Sequence, residues 1–199
     1  KLYGITREEC EELPMRSHNL ACKALDEGKF KEEIVPVVVK TKKGEVVIDT
    51  DEHPIRGCTM ETLAKLKPAF IKDGVVTAGN ASGINDAAAA VVVMSKKKAE
   101  ELGIKPLVKM LHICGEGVEP RVMGLGPAVA IPKCLKAAGL KYEDVDYWEI
   151  NEAFAPQFLG CVRKLKEEQG ITVNMDRTNV NGSGIALGHP VGCTALRII

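Results

Sequence analysis

His189 and Asn151 are the side chains of this 199-residue sequence whose type and setting fit proton-transfer chemistry. His189 stands in Asn179-Val-Asn-Gly-Ser-Gly-Ile-Ala-Leu-Gly-His-Pro-Val-Gly192, and Asn151 in Trp148-Glu-Ile-Asn-Glu-Ala-Phe154. Each stretch reads as a short strand that delivers one polar side chain to the start of a helix. An imidazole can take and return a proton near neutral pH, and a carboxamide can steady a negative oxygen without titrating. Glycines at 182, 184, 188 and 192 predict a backbone that turns tightly and lets something approach closely. Taken alone, a histidine among glycines is more often structural than catalytic, and an asparagine before a helix is a favoured cap.

The elements that must position these groups follow from pattern. Thr6-Arg-Glu-Glu9 has capping-box spacing and opens a helix to about Glu27, closed by Gly28 and kinked at Pro14. The β-rich runs Ile34 to Val39 and Glu45 to Ile48 flank Lys42-Lys43-Gly44, the look of a hairpin. Helices are expected at Thr62 to Leu66, from Ser95 through Leu102, at Pro127 to Ala138, at about Ala153 to Glu168, and after Gly192. Strands are expected at Ala87 to Met94, Leu107 to Cys114, Val145 to Ile150 and Thr178 to Val180. Alternating strands and helices predict α/β packing, with a loop-rich module before a boundary near Asn85.

Composition narrows the class. Hydrophobic residues make up 45% and charged residues 27%, and 27 basic groups balance 27 acidic ones, so no global field draws in nucleic acid or a membrane surface. The longest apolar run falls far short of the ~20 residues of a membrane span, which predicts a soluble, cytoplasmic protein. Seven cysteines without a Cys-x-x-Cys pair argue against a disulfide framework or a zinc cage. His18, His53 and His112 have no companions at metal-ligand spacing and read as surface or loop residues; no metal is expected. The sequence stops at Arg197-Ile198-Ile199 inside an expected helix, which reads as a fragment of a longer chain.

Thr77-Ala-Gly-Asn-Ala-Ser-Gly-Ile-Asn-Asp86, Asn151-Glu-Ala-Phe154, and Asn179-Val-Asn-Gly182 with Gly188-His-Pro190, in this order over essentially the whole chain, resemble the thiolase family of acetyl-CoA acetyltransferases and 3-ketoacyl-CoA thiolases. The resemblance implies a thiolase-like layered fold, part of an αβαβα sandwich with a loop-rich inserted domain. Residues 1–84 would be part of the loop domain, 85–106 the end of the N-terminal core half, and 107–199 the truncated C-terminal core half.

The same resemblance implies thiol chemistry. His189 would activate a cysteine and then donate to the thioester oxygen, and Asn151 would hold a water that completes an oxyanion hole. The nucleophilic cysteine and the Cys-x-Gly-Gly-Gly acid/base cysteine of the family are not among these 199 residues, so the fragment alone is expected to be inert. Arg56 would meet the nucleotide end of coenzyme A, although the family's basic residue stands one place earlier, where Ile55 is found here. Phe70, Ala78, Ser82 and Gly83 would lie along the pantetheine, and Met123, Ala153 and Phe154 would line the acyl end. Without the family, Ser82 is an ordinary turn serine, Phe70 a core aromatic, and Glu152 a solvated carboxylate in a first helical turn.

The function implied is acyl-CoA C-acetyltransfer, in the synthetic or the thiolytic direction, with coenzyme A as substrate or product, no cofactor, and a homodimer or homotetramer as the assembly. The rival reading is a non-catalytic subunit that binds CoA or a partner. Cysteines in the flanking sequence would discriminate the two.

Overall fold

The computed structural model describes residues 2–199. Helix α1, Glu9–Asp26, opens on the expected box: Thr6 N–H donates to the Glu9 carboxylate at 2.8 Å, and Glu9 N–H donates to the Thr6 hydroxyl at 3.2 Å. The helix runs through the buried Pro14 and ends at Gly28, whose φ of +70° suits a residue without a Cβ. Strands β1, Val37–Thr41, and β2, Gly44–Ile48, form the expected antiparallel hairpin, with Thr41 opposite Gly44. Helix α2, Met60–Ala64, is capped by Thr59, and α3, Lys96–Glu101, by Ser95. Helix α4, Gly126–Ala138, follows a 3-10 turn over Pro120–Leu125 and closes on Gly139. Helix α5 covers Ala155–Gln169, with Pro156 in its first turn, where a missing amide costs nothing.

The core forms where the apolar face of α5 meets α1. Phe158 and Leu165 are fully buried; Phe158 packs with Cys10 and Leu13 of α1, Ile150 and Ile185, and Leu165 packs with Cys161, Ala128 of α4 and Val173. At ~1.5–3 kcal/mol for each large apolar side chain removed from water, this contact is the main force holding the layer together. An ion pair between Glu9 and Arg163 joins α1 to α5. Arg7, two residues before α1, donates to the carbonyls of Leu63 and Leu66 and pairs with Glu11, which ties the end of α2 to α1.

Two strand expectations need correction. Ala87 to Met94 and Leu107 to Cys114 form no strand among the described residues; Val92 is 86% exposed and Leu107 fully so. Their β-branched composition is right for a buried strand, but a strand needs neighbours to take its amides and carbonyls, and none lies beside them. The other two expected strands, Val145 to Ile150 and Thr178 to Val180, shrink to a single isolated parallel bridge of 148 with 178: Trp148 N–H donates to Arg177 O at 2.8 Å, and Asn179 N–H donates to Trp148 O at 2.9 Å. The glycine-rich stretch also contains a helical turn that pattern did not suggest, α6, Gly184–Leu187, and α7 covers Thr194–Arg197.

His18, expected at the surface, is only 2% exposed on the inner face of α1. Its Nδ1 accepts the Ile55 amide at 3.1 Å, and burial, with the His53 ring nearby, pushes its pKa down from 6.5 to about 4. The unfolded chain therefore takes up this proton first. The stabilisation is complete above pH 6.5, falls as pH drops towards 4, and is lost below, by on the order of 3 kcal/mol in all. Urea midpoints should fall steeply between pH 7 and 4.5, and His18→Gln, which keeps an acceptor for Ile55, should flatten that dependence. An equally steep fall in the variant would refute the assignment.

Candidate active site

The two pairing segments carry both candidate groups to one end of the layer. Asn151 follows Ile150 off the first, and the second runs from Asn179 through Gly182 into α6 and on to His189. Gly182, at φ +81°, lies so close to α1 that a Cβ would come within 2.8 Å of Ser17 O. Gly184 lies so close to Asn151 that a Cβ would sit 2.4 Å from its Oδ1. These contacts, made where no side chain fits, bring the histidine-bearing loop against the asparagine on one side and α1 on the other.

Thr194 sets the state of the His189 ring. Its hydroxyl donates to Pro190 O at 3.1 Å, and its Oγ1 lies 2.8 Å from His189 Nδ1. The hydroxyl proton being committed to the carbonyl, Oγ1 accepts from Nδ1–H, which leaves the Nε2 lone pair free. Burial lowers the ring's pKa, which favours the neutral imidazole at physiological pH. The backbone is fixed as well, since His189 N–H donates to Asn85 Oδ1 at 3.1 Å.

Asn151 caps no helix. The amides of Ala153 and Phe154, before α5, are served by Gln157 Oε1 at 3.2 and 3.5 Å, and Asn151 Oδ1 is buried without a partner. It lines a small cavity of ≈ 20 Å³ together with Gly188 and Thr194, the residue that holds the His189 ring. That volume suits a single water molecule. An unpartnered carboxamide oxygen beside such a space is what an ordered water, or the substrate, would satisfy. A larger cavity of ≈ 250 Å³ lies between Tyr3 and the first turn of α5 and includes neither group.

Beside Asn151, Ser82 N–H donates to Ala153 O at 2.9 Å, and Ala155 N–H donates to Asn80 O at 2.8 Å, an antiparallel bridge centred on Ala81 and Phe154. Phe70 meets Phe154 edge to face, with centroids 6.5 Å apart. Phe70, Ser82, Ala153 and Phe154 are thus gathered at one place. Exposed Ala78 and half-buried Gly83 are on the same 77–83 segment. Met123 is solvent-facing on the 3-10 turn before α4, and Arg56 forms a two-pronged ion pair with Asp26 at the end of α1, at 3.0 and 2.7 Å; neither touches the others.

Residues 1–97 match the family model for the thiolase N-terminal domain, and residues 104–199 match that for the thiolase C-terminal domain. The chain belongs to the thiolase family. This thiolase chain is 57% identical over its whole length to an acetyl-CoA acetyltransferase of Syntrophomonas wolfei, of which it covers 49%, and 45% identical to a 3-ketoacyl-CoA thiolase of Bacillus subtilis, of which it covers 51%. A solved acetyl-CoA acetyltransferase from Syntrophomonas wolfei superimposes with a TM-score of 0.94 at 70% identity, over 99% of this chain and 49% of that one. The α/β layered fold of thiolases is therefore the fold of this chain, which spans about half the length of the relatives it matches.

Pattern alone did not single out the supports of the candidate site. Thr194, five residues past His189, had only its place in the first turn after Gly192 as a signal. Asn85 lay in a quoted motif without a role. Glu152, read as a solvated carboxylate, is fully buried. Replacement of Thr194 by Val should remove the acceptor for Nδ1–H without changing size. If the ring acts as the base of the reaction proposed below, turnover of the intact protein should fall on the order of 10-fold with little change in KM. Unchanged CoA release would show that the hydroxyl does not govern the ring.

Proposed function

We propose that the intact protein is an acyl-CoA C-acetyltransferase that joins two acetyl-CoA molecules into acetoacetyl-CoA and CoA, or runs the thiolytic reverse. The observation that carries this reading is the unpartnered Asn151 carboxamide in a cavity shared with Gly188 and Thr194, on the loop whose Thr194 hydroxyl holds the His189 ring. In the proposed cycle Nε2 takes the proton of a cysteine thiol outside these 199 residues. The thiolate attacks the thioester carbonyl, and coenzyme A leaves with a proton. A second acetyl-CoA, deprotonated at its methyl by the acid/base cysteine, attacks the acyl-cysteine, forms the new C–C bond and frees the thiol. Charge gathering on the carbonyl oxygen is met by His189 and by a water held on Asn151.

In the same reading Phe70, Ala78, Ser82, Gly83, Ala153 and Phe154 receive pantetheine and the acyl end, with Met123 at its edge. Arg56 must leave Asp26 to reach the nucleotide, which makes it the weakest member of the set. The domain division at 84 and 106, a homodimer or homotetramer, a cytoplasmic setting, a place in fatty acid metabolism and independence from any cofactor belong to the proposal. The flanking coding sequence tests it: a cysteine nucleophile upstream and Cys-x-Gly-Gly-Gly downstream are expected, with CoA-dependent cleavage of acetoacetyl-CoA by the intact protein. Lack of both cysteines would overturn it.

A further inference from the structure

The residue after Asn151 is a carboxylate where packing would accept a hydrocarbon. Glu152 is fully buried, and burial raises its pKa. Its Oε1 accepts from Asn179 Nδ2 at 2.9 Å. Asn179, itself fully buried at φ +51°, also embraces the backbone of Ile150, accepting its N–H on Oδ1 and donating from Nδ2 to its carbonyl, both at 2.8 Å. Glu152 N–H donates to Ser183 Oγ at 3.3 Å, and Ser183 N–H donates to Ser17 Oγ of α1 at 3.1 Å. Arg16 of α1 donates to Thr178 O at 2.8 Å and to Met175 O, and its charge acts on Glu152. Arg16 Nη1 and Glu152 Oε2 are both buried without a hydrogen-bond partner.

Both neighbours of Asn151 are thus clamped, Ile150 through Asn179 and Glu152 through Ser183, while the Asn151 oxygen is left free. The clamp is built on the loop that continues through Gly184 to His189. Stability alone does not call for it, because buried ionic groups commonly contribute less than well-packed apolar residues of the same volume. Resting on the acyltransferase reading, we propose that Glu152 is a positioning residue: bonded to Asn179 and facing Arg16, it holds the Asn151 carboxamide in register with the loop that carries His189. An active-site group displaced by about 1 Å can cost on the order of 10²-fold in rate.

The test is steady-state acetoacetyl-CoA cleavage by the intact protein. Glu152→Met should lower kcat by between about 10- and 100-fold with a much smaller change in KM, while Glu152→Gln, which keeps an acceptor for Asn179, restores most of it. In an Asn151→Ala background Glu152→Met should cost less than about 2-fold, since a group that acts through Asn151 loses its effect when Asn151 is gone. Asn179→Gly keeps the left-handed backbone and removes the same link from its other end; it should repeat the pattern if Glu152→Met does not fold. Wild-type kcat in Glu152→Met or, where that variant does not fold, in Asn179→Gly, or equal losses in both backgrounds, would overturn the positioning role alone. A wild-type protein without thiolytic activity would overturn the acyltransferase reading and the inference with it.

Discussion

His189→Ala should reduce the proposed acetyl transfer by the intact protein on the order of 10³-fold or more while the fold persists, since on that proposal a general base and an oxyanion donor are lost together. The ring is held at Nδ1 by Thr194 and at its backbone by Asn85, so its removal leaves those supports in place and the α1–α5 core untouched. The thermal midpoint should shift little. The wild-type pH profile follows from the lowered pKa of the ring: activity requires neutral imidazole, so the acid limb of kcat/KM should lie below the ordinary histidine value of 6.5. An acid limb above it, or retained CoA release in His189→Ala, would remove the ring from the mechanism.

Asn151→Ala should cost on the order of 10²-fold in kcat, the usual loss of one oxyanion-hole donor. Its stability should barely suffer, because the oxygen it deletes has no partner in the fold. That combination separates a catalytic group from a structural one: a buried polar atom that stabilised the protein would be bonded, and its loss would leave another atom orphaned. Asn151→Asp, which introduces a negative charge where charge develops, should be at least as slow. A variant with reduced stability and normal turnover would contradict the assignment.

The sequence announced α1, α3, α4 and α5 clearly because each carries its own punctuation, whereas the short α6 opens with no side-chain cap. Thr6 and Glu9 box the start of α1, Ser95 caps α3, and Gly28, Gly139 and Gly170 take the left-handed conformation past α1, α4 and α5. The hairpin was equally local. What failed to follow were the stretches 87–94 and 107–114, whose pairing depends on distant segments that no window of sequence displays. The site divides in the same way. His189 and Asn151 were visible from glycine spacing and motif, whereas the helix cap suggested for Asn151 was displaced by Gln157, a side chain six residues on that reaches back. Glu152 was misjudged because carboxylates near helix starts are ordinarily wet, and only the approach of α1, bringing Arg16 and Ser17, encloses it.

The unpaired segments have a consequence for handling the molecule. Val92, Leu107 and Ile113 present oily side chains to water along backbone that pairs with no strand. Such open ribs act as templates that recruit any matching strand, from another copy of the chain as readily as from the native neighbour. Purified by itself, this stretch of polypeptide should cluster through these segments, and charged substitutions at Val92 and Leu107 should raise its solubility.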